Sequence, residues 1–299
     1  MRKVVVPSKR CDLDGLASAY TYSKLLGCDY YFNKLLIEAK YIAKRLKIKK
    51  PRKKNWEKFV IVDMSSKHGL FEFVDRKKVI EVIDHRESGL KTARRDFPNA
   101  EIQIELVGAC ATLIFEKLKK VKYPLNKKMC NLIYTAIYSN TLNLKSSNTT
   151  TRDLKAIKFL KNSGKVMQGI EMDMFLFKKG FMLRHLKEAI EEELKFGYKL
   201  GKIKLGISQL EIYGAEELID KRHEILEILR NLKEEKKLNS IFLNVPDIKN
   251  SVNYFILEDS HLKKTLAKKL KIKFIEENLG TGKLILRKQI EKILNLQIV

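Results

Sequence analysis

Short apolar runs separated by amphipathic stretches dominate the first half of the chain, and that alternation sets the expected fold. KVVVP (3–7) predicts a buried strand, and the apolar spacing from Leu16 to Leu26 predicts a helix. CDYYF (28–32) predicts a second short strand and 34–46 a second helix. FVIVDM (59–64), VIEVIDH (79–85) and EIQIEL (101–106) predict three more strands. Helices are expected at 109–120, 126–138 and 152–162. Strands alternating with helices predict a parallel sheet covered on both faces.

The pattern changes after KNSGK (161–165), the best linker candidate, which places one domain over 1–165 and a second over 170–299. In the second half a charged helix is expected at 183–195, an alternating strand at 201–212 and a long helix at 214–232. Strand-like segments at 240–245 and 253–257 flank the turn signal PDIKN, and a helix at 260–269 leads to IKFIEEN (272–278). This half reads as a smaller mixed α/β domain, without internal repeats.

At 299 residues the chain is long enough for two domains with sizeable cores. No stretch approaches the roughly 18 apolar residues of a spanning helix, and the three valines near the N-terminus are too short for a signal peptide. A soluble, cytoplasmic protein is expected. Four scattered cysteines without a CxxC pair exclude a zinc ribbon and argue against a disulfide scaffold. The net charge of +25 fits an anionic partner, but the basic residues are spread along the whole chain. A lysine-coated surface explains that spread better than a nucleic-acid patch does. The dense run KIKKPRKK (47–54) reads equally well as a solvated loop.

Ligands bind parallel sheets beyond the carboxyl ends of the strands, so the strand-terminal residues carry the candidate chemistry. Asp12 and Asp14 follow the first strand, Asp63 ends FVIV, and Asp84 and His85 end VIEVI. Four carboxylates and one imidazole thus reach one edge. Such a set suits Mn²⁺ or Mg²⁺ better than zinc. A helix-capping role accounts for Asp14 but leaves Asp63 and His85 unexplained. The small residues of GACAT (108–112) open a helix directly after a strand and either admit an anion to its N-terminal N–H groups or serve close packing. TTTRD (149–153) offers Thr149 or Thr150 as an N-cap. His68, His185, His223 and His261 show no ligand spacing and read as surface or packing residues. Trp56 reads as a core anchor, and MDMFLF (172–177) as a helix burying one face.

In order, these segments resemble the DHH phosphoesterase superfamily: a DxD, a strand-terminal Asp, a DH pair, G-x-C/T-A-T, then a TTxxD helix start. CDLDGLASA, IDHRE and ELVGACATLIFE are similar to exopolyphosphatases, prune proteins and family II inorganic pyrophosphatases, and LILRKQI (284–290) resembles the Arg-Lys-Gln segment of the type-2 DHH-associated (DHHA2) domain. The resemblance implies a Rossmann-like N-terminal domain, a smaller C-terminal α/β domain, and an active site in the cleft between them. It implies metal-dependent hydrolysis of pyrophosphate or polyphosphate by an activated water, with two Mn²⁺ or Mg²⁺ ions. Asp12, Asp14, Asp63, His85 and Asn140 match the metal ligands, with Asp63 bridging, and Asp84 matches the residue that orients His85. Asp63, His85 and Arg86 are the implied catalytic groups. Arg86, Arg287 and Lys288 are the implied phosphate contacts.

The chain departs from the family pattern in three places. Ser8 stands where the pyrophosphatases have a histidine ligand, Met64 follows the bridging aspartate where His or a polar residue is usual, and Asn140 stands where Asp is usual. Asn140 keeps an oxygen but removes a negative charge, which implies a weaker second metal. The alternative reading is a degenerate member that binds phosphate compounds or a protein partner without turnover. A nuclease of the same superfamily is disfavoured by the absence of a Gly-Gly-Gly-His type motif near the C-terminus. A cyclic-nucleotide phosphodiesterase is compatible with the sequence but not legible in it.

Overall fold

The computed structural model describes residues 2–86 and 89–298, and the chain divides into two units, Met1–Phe177 and Lys178–Val299. The first unit runs β1 (Lys3–Val6), β2 (Arg10–Cys11), α1 (Leu13–Leu25), β3 (Asp29–Tyr30), β4 (Lys34–Leu35), α2 (Ile37–Arg45), β5 (Lys58–Val62) and β6 (Val79–Asp84). It continues through α3 (Gly89–Asp96), β7 (Glu101–Ile104), α4 (Cys110–Lys120), α5 (Lys127–Asn140), α6 (Thr151–Asn162) and α7 (Ile170–Arg184), the last crossing the unit boundary. Five strands form a parallel sheet in the order β3-β1-β5-β6-β7. The strand order reverses between β1 and β5, which is where a sheet of this kind opens a crevice at its carboxyl edge.

The sheet matches the alternation in the sequence because its central strands are β-branched and covered on both sides. Val4, Val5 and Val6 and the FVIV of β5 are all buried. Trp56 anchors the core as expected. It packs edge-on to Tyr31, and its indole N–H donates to Asp29 at 2.8 Å.

Several boundaries move for identifiable reasons. α1 begins at Leu13, ahead of the expected Leu16, because Asp12 caps it by accepting from the Gly15 N–H at 2.9 Å. Asp14 is therefore a first-turn residue and not the cap. The expected helix at 34–46 starts only at Ile37, since Lys34 and Leu35 pair with Arg10 and Cys11. α3 is absent from the sequence expectation because half of GLKTARRD is charged and Leu90 is its single large apolar residue. KNSGK does not end the first unit. Asn131 on α5 donates to the Lys165 carbonyl at 2.9 Å and accepts from the Met167 N–H at 2.8 Å, tying that segment down. Met174 and Phe175 of α7 are buried, whereas Leu176 and Phe177 are exposed.

The second unit comprises α8 (Leu186–Glu193), β8 (Lys195–Leu200), β9 (Ile203–Gln209), α9 (Glu216–Asp220), α10 (Arg222–Glu235), β10 (Ser240–Asp247) and β11 (Val252–Ile256), then α11 (Ser260–Leu270), β12 (Lys273–Glu276), β13 (Leu279–Lys283), α12 (Arg287–Leu294) and β14 (Gln297–Ile298). Its mixed sheet has the order β12-β13-β11-β10-β9-β8-β14, with β9 and β10 parallel. Side chains of β10 alternate between the two faces: Ile241, Leu243 and Val245 pack with α8 and α10, and Phe242 packs with α11 and α12. The run expected as one strand at 201–212 is the second arm of a hairpin that turns at Gly201, whose φ of +61° suits glycine. A chain of buried amides fixes the segment before α12. Asn244 donates to Gln209 Oε1 at 2.9 Å, Asn253 donates to the Ile285 carbonyl at 2.6 Å, and the Ile285 N–H returns to Asn253 Oδ1 at 3.1 Å.

In the first unit one carboxylate performs a similar bracing role. Thr150 caps α6, and the buried Asp153 accepts from the Thr150 N–H at 2.7 Å, the Gly108 N–H at 2.8 Å and the Thr112 hydroxyl at 2.5 Å. Gly108 is required there, since a Cβ would lie 2.4 Å from Thr141 Cγ2. Asp153→Ala would leave these donors buried and unpaired, and is expected to cost about 4 kcal/mol in urea unfolding. A loss below about 1 kcal/mol would mean that the brace is dispensable.

Candidate metal centre

The carboxyl ends of β1, β5 and β6 deliver the expected side chains to one place. Asp63 follows β5 with φ +55°, a left-handed backbone that a non-glycine residue adopts only where its surroundings impose it. Its N–H is held by the Ile83 carbonyl at 2.8 Å, so the turn is locked to β6. His85 Nε2 lies 3.5 Å from Asp63 Oδ1 and 3.9 Å from Asp14 Oδ2. Asp14, Asp63 and His85 each offer a ligand atom, and these atoms lie within 4.8 Å of one another. The imidazole is aimed by Val107, whose carbonyl is 3.0 Å from Nδ1. That contact requires the proton on Nδ1 and turns the Nε2 lone pair toward the carboxylates. Asp84 acts on the main chain instead of the ring: its Oδ1 accepts the His85 N–H at 2.8 Å.

Asp14 is anchored twice over. Its two oxygens accept from the Cys110 and Ala111 N–H groups, each at 2.7 Å. These are the first N–H groups of α4, the GACAT helix start. The anion at that helix N-terminus is therefore an internal carboxylate, so of the two readings of GACAT the one with an outside anion has no space there. Asn140, the last residue of α5, also donates to Asp14 Oδ2 at 2.8 Å and to the Gly108 carbonyl at 3.2 Å. It reaches the site as expected, with its amide nitrogen facing Asp14.

Burial and crowding set the electrostatics. Burial first, then the Asp12 charge, pushes the Asp14 carboxyl up to about 8. Burial, then Asp12 and Asp14, raises Asp63 well above the usual carboxylate range. Burial above all pushes the Cys11 and Cys110 thiols up as well. Arg86 donates from Nη2 to Asp63 Oδ1 at 3.0 Å, and its Nε lies 3.7 Å from Asp84 Oδ1. The Asp63 charge, opposed by burial, raises its basicity further. The buried Asp84 Oδ2 has no hydrogen-bond partner among the described residues. Two crowded carboxylates and an imidazole nitrogen turned toward them form a donor set that fits a divalent cation of the Mn²⁺ or Mg²⁺ kind.

Asp12 stands beside this group and lies outside the converging trio. It lines a cavity of about 250 Å³ with Ser8, Cys11, Asp63, His68 and Arg86. His68, read from the sequence as a surface or packing residue, is thus at the site. Its loop is docked on the first strand's exit by the Lys9 N–H, which donates to the Gly69 carbonyl at 2.8 Å. The sequence does hold a signal for it: His68 follows Asp63 in the same strand-end loop. In the second unit the Arg287 guanidinium is largely buried and donates to the Glu193 carbonyl, while Lys288 follows it in the first turn of α12.

Residues 2–137 match the DHH family, N-terminal domain, so the chain carries a DHH-family domain. Relatives named manganese-dependent inorganic pyrophosphatase align over most of the chain. The one from Methanothrix thermoacetophila is 28% identical over 256 residues, covering 82% of this chain and 81% of its own. An A-adding tRNA nucleotidyltransferase from Aquifex aeolicus is 27% identical over 268 residues, which span 85% of this chain and 28% of that protein. The crystal structure of a Methanococcus jannaschii putative family II inorganic pyrophosphatase superposes with a TM-score of 0.72 at 24% identity, over 98% of both chains. The fold is the same: an N-terminal parallel sheet and a separate C-terminal mixed sheet.

Asp14 and Asp63 give the metal-stripped protein a specific pH response. Unfolded aspartates titrate at about 3.9, so the folded state holds extra protons above that pH. The stability these groups contribute is present in full below the unfolded value and is lost as the pH rises through about 8. Mn²⁺ replaces those protons. Calorimetry is expected to show a larger Mn²⁺-induced rise in Tm at about pH 8 than at about pH 5.5. Equal rises would contradict the raised carboxyls.

Proposed function

We propose that the protein is a divalent-metal-dependent hydrolase of phosphoanhydride bonds, acting on pyrophosphate or inorganic polyphosphate. The observation that carries this reading is the convergence of Asp14, Asp63 and His85 at the switch point of a DHH-family sheet. The names of the relatives support the substrate class and favour manganese. Of the two cations that the resemblance implies, this trio accounts for one.

When bound, the cation would lower the pKa of a water and neutralise phosphoryl oxygens that otherwise repel a nucleophile. The side chains prepare that chemistry. Asp14 is fixed by main-chain N–H groups, so it does not swing away between turnovers. Val107 keeps His85 in the tautomer that presents Nε2. Arg86 spends one edge on Asp63 and keeps two-fifths of its side chain exposed, enough to hold a phosphoryl oxygen at a fixed place. Asp84 sets the main chain of His85 and faces the Arg86 Nε, holding both. In the second unit, Lys288 is the proposed phosphate contact, and Arg287 is proposed to hold the turn that presents it. Asn140 contributes hydrogen bonds without charge.

The test is phosphate release from pyrophosphate, tripolyphosphate and long polyphosphate with Mn²⁺ or Mg²⁺. Asp63→Asn is the control, because Asn tolerates the left-handed backbone and removes only the charge. Its activity is expected to fall roughly 10³-fold while the metal-stripped Tm holds or rises. Absence of release above that control with any metal would overturn the hydrolase reading in favour of a phosphate-binding protein without turnover.

A further inference from the structure

The acidic side chains at the strand ends are not equally free to meet a cation. Asp14 faces the trio's centre but is bonded to two main-chain N–H groups and the Asn140 amide. Asp12 uses Oδ1 on the Gly15 N–H. Asp63 Oδ1 is shared between His85 on one side and Arg86 on the other. Arg86 also donates to the Asp63 carbonyl at 3.3 Å, so its guanidinium grips both the side chain and the backbone of that residue. It enters the same cavity that Asp12 and Asp63 line. The other polar side chains lining that cavity include Ser8, Cys11 and His68, none of them a carboxylate.

We infer that Arg86 takes the place of a second cation, and that the protein binds a single divalent ion, at Asp14, Asp63 and His85. This rests on the metal reading proposed above. A guanidinium within 3.0 Å of Asp63 Oδ1 repels a doubly charged ion brought to the same carboxylate from the Asp12 side. The arginine is always charged and covalently fixed, so that positive charge survives when the metal leaves. The Asn140 amide fits the same scheme. It satisfies Asp14 and the Gly108 carbonyl as a neutral donor, with no additional ligand charge for a second ion to balance.

The experiment is equilibrium dialysis of the full chain against Mn²⁺, read by the spin-resonance signal of the free ion, with circular dichroism confirming that each variant is folded. The wild type is expected to level at one Mn²⁺ per chain, and Arg86→Lys likewise, since it keeps the charge. Arg86→Ala is expected to level at two. Arg86→Gln, which can still hydrogen-bond to Asp63, is expected to do the same and separates charge from packing if the alanine variant fails to fold. Two Mn²⁺ on the wild type, or one on the folded Arg86→Ala or Arg86→Gln chain, would overturn the inference while leaving a metal hydrolase intact. No Mn²⁺ on folded wild type would overturn the metal reading itself.

Discussion

The grip of Asp14 on the first two N–H groups of α4 is the contact on which the rest of the site depends. It joins α1 to α4 across 96 residues of sequence and brings in α5 through Asn140. A carboxylate at a helix start is favoured by the dipole and by the unpaired donors there. Here that stabilisation opposes, without cancelling, the cost of burying a charge beside Asp12, so the carboxyl still rises to about 8. The result is a ligand oxygen held without help from a cation. Asp63 and His85 are then aimed at it by local means, one by a left-handed turn locked to β6 and the other by the Val107 carbonyl.

Much of this is legible in the sequence for a simple reason. β1, β5 and β6 are runs of β-branched residues buried on both faces, and no other reading of KVVV or FVIV buries them as well. Once those strands are fixed, the residues that follow them must lie at one edge. Asp12, Asp63 and His85 can therefore be placed from the strand pattern alone. α3 and β8 are not legible in this way: GLKTARRD has one large apolar residue, and KFGYKL, though its Phe196, Tyr198 and Leu200 alternate, is broken by a glycine and follows directly on a charged helix. The partners of Asp14 and His85 are hidden for another reason: they are main-chain atoms, which leave no trace in residue identity. The small residues of GACAT leave an outside anion and close packing equally legible; the space is taken by a side chain from α1.

Both units bury polar groups by binding them to the main chain. The first pairs Asp153 and Asp14 to main-chain N–H groups, and Asn131 ties down the segment before α7. In the second, the buried Asp247 accepts from the Gly214, Ala215 and Lys249 N–H groups, while Gln209, Asn244 and Asn253 hold the Ile285 segment at the start of α12. The exposed charge does less. Isolated pairs such as Lys54 with Asp29 or Arg230 with Glu258 lie at the surface, where each adds little to stability. The +25 balance is in keeping with a lysine-rich coat over an ordinary fold.

The double duty of Asp14 changes how related chains should be compared. A descendant without the proposed chemistry would still need an acceptor there to seat α4, and a capping residue in place of Asp12 to start α1, so both aspartates can persist in a silent copy. The side chain of Asp63 seats no helix; it faces His85 and Arg86, which belong to the site itself. Among these aspartates it is the informative position, the one whose replacement would touch the candidate metal group without unseating a helix.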